Sequence, residues 1–403
     1  MNASIHNTLL KREGTLNDYS LSSVSVSTSD IDAAENKIDS INEDDNLTLL
    51  LDKQREAVKT VSPRNTETDI SNTLLGSIDE AALELELLNA WTEGGVKVIS
   101  PMLDSMLDGI ISDGKIEGTE IEDVILIIML DLMVNQKETG LRPEEQGYLT
   151  EWIGSGMHKD RDNNTVDNSV LAEAMKKVLD KGLADQNSVA KKAAEILVSN
   201  LNGVENVEQK IDQQMENGNY TSNKDGFYLG TDGKNDENES GSDDCKSVSP
   251  IIRLMLLSTA ARDNDKLNAE DWDLILTGTT RDIEKLMKEK FTDFVNIFDF
   301  IVKNNGQEQA NGGSDFWQWY NPDGNGNSGG KFDITGNWLD FNGKGVSLDY
   351  LNSMFENFPS RVLSDDELKE INRIGDNVKM IMQTLKYWFQ ILRDERVAIA
   401  RNI

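Results

Sequence analysis

Three short runs of Asp and Asn have the alternate spacing from which calcium-binding loops are built. Asp160–Asn164 and Asp323–Asn327 each place oxygen-bearing side chains at positions one, three and five, and Asp263–Asp265 is a shorter version. None has both the glycine at position six and the glutamate at position twelve that complete an EF-hand loop. Such runs also arise as turns in an acidic, Asn-rich chain. We therefore predict no metal site and no cofactor.

A second candidate site combines aromatic rings with carboxylates. Its members are Trp317, Trp319, Tyr320, Trp338 and Phe341, with Asp315, Asp323 and Asp340 close by in the sequence. Aromatic platforms beside paired carboxylates are typical of proteins that bind or hydrolyse sugars. The same aromatic residues would also give a small Gly-rich segment a core of its own. Both interpretations stay open, and carbohydrate binding is the third of our functional alternatives.

Residues for nucleophilic catalysis are scarce. The chain has one cysteine, Cys245, and two histidines, His6 and His158, none of them in a recognisable catalytic motif. No phosphate-binding or dinucleotide-binding glycine pattern occurs either. We predict that the protein is not an enzyme.

The charge balance excludes several classes of partner. Formal net charge is −32, from 72 acidic and 40 basic residues in a chain of 403. Binding to nucleic acid or to an anionic membrane needs clustered Lys and Arg, so we predict neither. The longest apolar run, Val124–Leu130, is far too short to insert into a bilayer. Without a recognisable signal peptide, the expected location is the cytoplasm or, by a signal-independent route, the exterior.

The composition changes along the chain and suggests four segments. Residues 1–75 are rich in Ser, Thr, Asn and Asp, and we expect them to be mostly disordered, apart from a short helix near Leu47–Val61. Residues 77–217 read as a helical domain, which begins at the capping box Ser77–Glu80 and contains one helix that is apolar nearly all round. Residues 218–247 form an acidic linker.

The fourth segment, residues 250–403, reads as a coiled-coil domain with an irregular Gly/Asn-rich insertion at 304–363, in which we expect one or two short β-hairpins. Within 281–303 a seam spaced by four, three, four and three residues is formed by Met287, Phe291, Phe294, Phe298 and Ile301. The predicted fold class is therefore mainly α: a helical domain plus a long antiparallel coiled coil that carries the insertion.

The last predicted helix follows the capping box Ser364–Glu367 and carries the most regular apolar pattern of the sequence. This terminal stripe consists of Ile371, Ile374, Val378, Ile381, Leu385, Trp388, Leu392 and Ile399. Burial of such a side chain is favourable by ~1.5–3 kcal/mol relative to exposure to water. We therefore expect the terminal stripe to pack against another surface. That surface could belong to the 281–303 helix, to another helix of the chain, or to a second copy or partner. We predict the terminal stripe as the assembly or partner-binding site.

These traits together resemble the hydrophilic translocators of bacterial type III secretion systems, the needle-tip and EspA-like filament proteins. The resemblance is one of architecture and covers chiefly residues 1–75 and 281–403, with Ile371–Ile403 matching the assembling helix. It implies an unfolded N-terminal export signal, secretion to the bacterial surface, a role in virulence, and oligomer assembly through the last helix. It also implies needle or translocon partners and an export chaperone.

A different class of function is kept beside this one. The chain could be a type III effector or a gatekeeper-like regulator, whose acidic helical domain docks a basic partner. Such a protein would bind without assembling, so the two hypotheses differ in whether the terminal stripe makes contacts between chains.

Overall fold

The computed structural model describes residues 28–41, 46–61, 65–116, 120–153, 168–216, 248–262, 266–294, 297–304, 318–320, 338–340 and 346–401. The described chain is mainly helical, which confirms the predicted fold class at that level. Its helices are α1 Thr28–Asp39, α2 Leu47–Thr60, α3 Asn65–Glu93, α4 Ile99–Ile110, α5 Glu120–Val134, α6 Pro143–Glu151, α7 Asn168–Ala184, α8 Val189–Asn200, α9 Val204–Glu216, α10 Pro250–Ala260, α11 Ala269–Thr277, α12 Thr280–Lys290, α13 Ile297–Asn304, α14 Leu348–Phe355 and α15 Asp365–Arg401. Two short 3-10 segments, Gly95–Val98 and Ile111–Asp113, flank α4.

Three very short strands complete the described secondary structure: β1 Trp152–Ile153, β2 Gln318–Tyr320 and β3 Trp338–Asp340. They pair antiparallel in the order β1-β3-β2, with Trp319 opposite Leu339 in the β2–β3 ladder. Most of the predicted insertion lies outside the described residues. The β-hairpin prediction for it therefore stays a prediction.

The chain divides into two compact units. A terminal unit combines residues Met1–Ile78 with Val378–Ile403, and a central unit spans Asp79–Asn377. The sequence predicted a boundary near residue 77, close to this division, but also a second boundary at 217 that the division lacks. Helix α10 explains the difference, because it is buried along its whole length within the same apolar cluster as α5. The predicted separate domains 77–217 and 250–403 are thus largely one core.

Helix α5 is the centre of the central unit. Twelve of its fifteen residues are buried, and it packs on α4, α7 and α8. This confirms the prediction drawn from its nearly uniform apolar sequence, since a helix without a polar face can only be stable inside a bundle. Gly182 of α7 makes the close approach possible, because a Cβ there would lie 2.7 Å from the Cγ2 of Ile128.

Two predicted helix boundaries are wrong. Ser77 does not begin a helix but lies inside α3, where its hydroxyl donates to the Thr73 carbonyl oxygen at 3.1 Å. The predicted helix over 281–303 is two helices, because α12 ends at Lys290 and Asp293 has a positive φ of 67°. The rings of Phe291 and Phe300 then contact each other, tilted by 57° with centroids 4.9 Å apart, so Phe291 of the predicted seam packs on a residue outside that seam.

Part of the segment 1–75, which the sequence predicts to be mostly disordered, is helical in the described residues. Helices α1 and α2 both lie within this range, and α3 begins in it; α2 matches the short helix expected near Leu47–Val61. Ile31, Ala34 and Ile38 of α1 are fully or almost fully buried. Their spacing of three and four residues is helical, but they are too few to offset the ordering entropy of this segment alone. Helix α1 packs on α2, and both also contact α15, more than three hundred positions away, which composition could not reveal.

Candidate interaction site on helix α15

Helix α15 begins as the sequence predicted. The Ser364 hydroxyl accepts a hydrogen bond from the Glu367 amide at 3.3 Å, and the Ser364 amide donates to the Glu367 carboxylate at 2.7 Å. Arg361 adds two further bonds to the same carboxylate, at 2.6 and 2.7 Å. This reciprocal capping satisfies backbone donors that the first turn would otherwise leave unpaired. The capping box therefore sets the register of the terminal stripe.

Most of the terminal stripe is buried within the chain itself. Of its eight members, six are buried, one is partly exposed and one has a side chain outside the described residues. The buried members are Ile374, Val378, Ile381, Leu385, Trp388 and Leu392; Ile371 is partly exposed, and the side chain of Ile399 is not described. Ile371 and Ile374 belong to the central unit, whereas the members from Val378 onward belong to the terminal unit.

One buried residue of this face was missed by the seven-residue pattern. Phe389 is fully buried and its ring lies 5.4 Å from that of Trp388. It follows Leu385 by four residues, which is the spacing of a globular helix with a wide apolar face rather than of a narrow coiled-coil seam. A search for i, i+3 and i+4 neighbours would have found it.

Within the terminal unit, a buried glutamine joins α2 to the terminal stripe. The side-chain amide of Gln54, which is fully buried, donates to the Val378 backbone carbonyl at 2.9 Å. Leu51, Ala57 and Val58 lie three or four residues from Gln54 on the same face of α2 and are buried as well. That face of α2 is therefore directed at α15, and α2 supplies part of the cover that the sequence required.

Helix α1 contacts α15 through charged groups. Arg393 pairs with Asp32 and, more closely, with Glu35, and Lys386 lies 3.6 Å from Asp39. These cations are about half exposed, so each pair stabilises the contact only modestly, ~0–1 kcal/mol, and is weakened by salt. Lys386 and Arg393 therefore lie on the side of α15 that faces α1.

A neighbouring side of α15, about 100° round the helix from the terminal stripe, carries a second row of mostly apolar side chains. We define the outer stripe as Met380, Thr384, Tyr387, Ile391 and Ala398, all exposed. Met380 is 59%, Tyr387 66% and Ile391 38% exposed, although each has a large apolar side chain. The steps of four, three, four and seven residues keep these side chains on one face of a helix. The sequence analysis overlooked this row because the terminal stripe is more regular.

Buried carboxylates elsewhere have structural partners. In the central unit, Asp131 of α5 accepts hydrogen bonds from Ser100, Asn135 and the Ala190 amide at 2.7, 3.0 and 2.9 Å. Its burial raises its pKa, and its bonds to Ser100 and Ala190 oppose the rise. Because Ala190 lies in the first turn of α8, Asp131 acts as a cap supplied by a neighbouring helix.

Two other carboxylates with shifted pKa values are equally structural. Burial raises the pKa of Asp104, which lies 2.6 Å from the Lys192 ammonium. The pKa of Glu145 is lowered to about 2, chiefly by the Arg142 backbone amide and then by the Arg142 guanidinium. Each carboxylate is held by groups that fix helix ends or helix pairs, and Asp104 shares the Lys192 ammonium with Asp108.

The chemical sites considered from the sequence lie mostly outside the described residues. This applies to the runs at 160–164, 263–265 and 323–327, to His6, His158 and Cys245, and to the side chains of the aromatic cluster at 315–341. Within the described ranges, no group of three or more His, Cys, Asp or Glu side chains could hold a metal ion. In the same part of the chain, no helix combines the length and apolarity required to cross a membrane.

Comparisons with known proteins identify no relative of this chain, so its function has to be inferred from its own residues. No protein-family model, no curated protein and no solved structure matches this chain.

Proposed function

We propose that the protein is a non-enzymatic, exported component of a type III secretion system, of the needle-tip or filament class, and that α15 is its assembling helix. The proposal combines the architectural resemblance with what α15 offers: a long capped helix with a wide apolar face. On this account the terminal stripe makes contacts between subunits after export.

One observation supports the proposal: the stripe residues from Val378 to Leu392 are buried within the chain itself, and α15 is joined to α2 by the Gln54–Val378 hydrogen bond and to α1 by the Arg393 ion pairs. A subunit whose assembling face is covered stays monomeric until the cover is displaced. An uncovered face with Leu385, Trp388 and Phe389 would instead associate at once, because each side chain gains ~1.5–3 kcal/mol on burial. The α1–α2 pair would then correspond to a chaperone-like N-terminal hairpin.

The experiment that tests this proposal places one charged residue in the buried face of α2, so that α2 no longer packs on α15. Leu51 is almost fully buried and lies one turn before Gln54 on the same face of α2. We expect Leu51→Asp to convert a monomer into oligomers in sedimentation velocity, and the double variant with Leu385→Asp to be monomeric again. Leu49→Asp is the matched control, because Leu49 is exposed on the same helix. A Leu51→Asp protein that stays monomeric with an unchanged circular dichroism spectrum would contradict the proposal.

Export is tested separately. The full chain, produced in a bacterium with an active type III system, should accumulate in the medium, and it should stay in the cells when the secretion ATPase is inactivated. Retention in both strains would remove export from the proposal, although the sedimentation result would still stand.

The acidic character of the chain favours one alternative, a secreted effector or a gatekeeper-like regulator that binds a basic partner through its helices. The net charge of −32 is the observation behind it. This alternative predicts that Leu51→Asp destabilises the terminal unit without producing oligomers. Carbohydrate binding by the residues around 315–341 stays a further prediction, to be tested by tryptophan fluorescence on addition of polysaccharide.

A further inference from the structure

We infer that the outer stripe of α15 is a docking surface for a basic amphipathic helix of another protein. This inference goes beyond the function proposed above. The outer stripe is exposed while the inner face is covered, so docking on it requires neither export nor assembly through the terminal stripe.

The spacing of the outer stripe specifies the secondary structure of the partner. Met380, Thr384, Tyr387 and Ile391 follow one another at four, three and four residues. That alternation keeps side chains in line along a helix and lets them interlock with the side chains of a second helix packed alongside. An extended strand would need alternate residues along its contact, which a helix face does not offer. The partner is therefore helical.

The exposure of the outer stripe indicates that it is a contact surface. Tyr387 is the most exposed of its large apolar members, at 66%, and it lies between Met380 and Ile391 rather than alone. Single exposed apolar residues are common on protein surfaces, whereas a row of them marks a binding face. Tyr is also enriched at the centres of protein interfaces.

The charges around the outer stripe specify the partner's charge. Lys386 and Arg393 are directed at α1, where they pair with Asp39, Asp32 and Glu35. Asp394 lies in line with the stripe between Ile391 and Ala398, and Glu395 lies next to it. Among the described side chains neither carboxylate has an ion partner. A partner with Lys or Arg beside its apolar row would complement these carboxylates, and steering by opposite charge would speed its association.

A second copy of this chain fits the surface less well. Each copy carries a net charge of −32, so two copies repel one another as they approach, and the outer stripe, with three large apolar side chains against six buried ones on the terminal stripe, has less apolar surface to offset that repulsion. Charge complementarity thus favours a different, basic protein over self-association.

The test uses the full chain and two synthetic helical peptides of three heptads. Both peptides have Leu at the two seam positions; one has Lys at the flanking positions and the other has Glu. We expect the Lys peptide to bind in fluorescence anisotropy at physiological salt, and the Glu peptide to bind at least about tenfold more weakly. Replacing both Tyr387→Ser and Ile391→Ser should weaken binding of the Lys peptide at least about tenfold.

Two controls complete the design. Leu49→Ser changes an exposed apolar residue outside the outer stripe and should leave binding unchanged. The pair Asp394→Lys and Glu395→Lys should reverse the preference toward the Glu peptide. Equal binding of both peptides, binding that survives the loss of Tyr387 and Ile391, or a dimer in sedimentation that disappears with Tyr387→Ser would each overturn the inference. The last outcome would assign the surface to a second copy.

Discussion

Two buried polar side chains, Asp131 in the central unit and Gln54 in the terminal unit, each bond to a neighbouring helix, but they are satisfied to different degrees. Both oxygens of Asp131 accept hydrogen bonds, from three donors in all. Gln54 makes one bond through its nitrogen, and its buried Oε1 has no partner. A fully satisfied buried group fixes its neighbours in place, whereas a half-satisfied one lowers stability. The unpaired oxygen of Gln54 therefore weakens the contact between α2 and α15, which is the property that the proposed displacement of the cover would need.

The largest effect is expected at Asp131. Asp131→Ala leaves three donors unpaired, each at ~1–3 kcal/mol, partly offset because a carboxylate is no longer buried. We expect a net loss of about 3 kcal/mol in the free energy of unfolding of the central unit, measured by urea denaturation. Asp108→Ala, an exposed carboxylate beside the same α4–α8 contact, should change it by less than ~0.5 kcal/mol. Equal losses in the two variants would show that Asp131 is not a special cap.

A change of opposite sign is expected at Gln54. Gln54→Met keeps the length of the side chain and removes the unpaired oxygen, so we expect the terminal unit to be stabilised by about 1 kcal/mol. The measurement is the midpoint of thermal unfolding for that unit, followed by exchange of α2 amides. If Gln54→Met destabilises the unit instead, then the Gln54–Val378 bond outweighs the unpaired oxygen and the comparison with Asp131 fails.

The ion pairs between α1 and α15 should contribute less to stability than Asp131 or Gln54 does. Arg393→Ala is expected to lower the stability of the terminal unit by ~0.5 kcal/mol at low salt and by almost nothing at 1 M salt. Arg393→Glu combined with Glu35→Arg restores opposite charges and should recover part of the loss caused by Arg393→Glu alone. The comparison is made by chemical denaturation at two salt concentrations. A loss that is independent of salt would point to packing by the arginine stem rather than to charge.

Glu145 and Asp131 should change the free energy of unfolding in opposite directions when the pH is lowered. The pKa of Glu145 is lowered to about 2, so its stabilising effect is complete above the ordinary value near 4.5 and is lost as the pH falls toward 2. Asp131 has a raised pKa, so lowering the pH favours its folded form relative to the unfolded chain. Glu145→Gln should therefore flatten the acid limb of the stability curve between pH 4.5 and 2. An unchanged acid limb would show that Glu145 does not carry this dependence.

Local sequence signals predicted individual helices better than they predicted which helices contact one another. The apolar run of α5 and the capping box of α15 were both recognised, because each depends on residues within a few positions. The contacts of α15 with α1 and α2 were not recognised, because both helices lie in a segment whose composition is typical of disorder. The break after Lys290 was missed because the Phe291–Phe300 contact that accompanies it closes a loop, which periodicity alone cannot reveal. At the candidate site, the regular inner face was found and the less regular outer stripe was not.

The most direct test of the central claim is hydrogen–deuterium exchange on the full chain with and without Leu51→Asp. If α1 and α2 cover the terminal stripe, amides in Ile381–Leu392 will exchange at least about tenfold faster in the variant, together with those of α2, while α5 stays protected. If Ile381–Leu392 keeps its protection when α2 has lost its own, then the N-terminal helices do not cover this face and the account is contradicted.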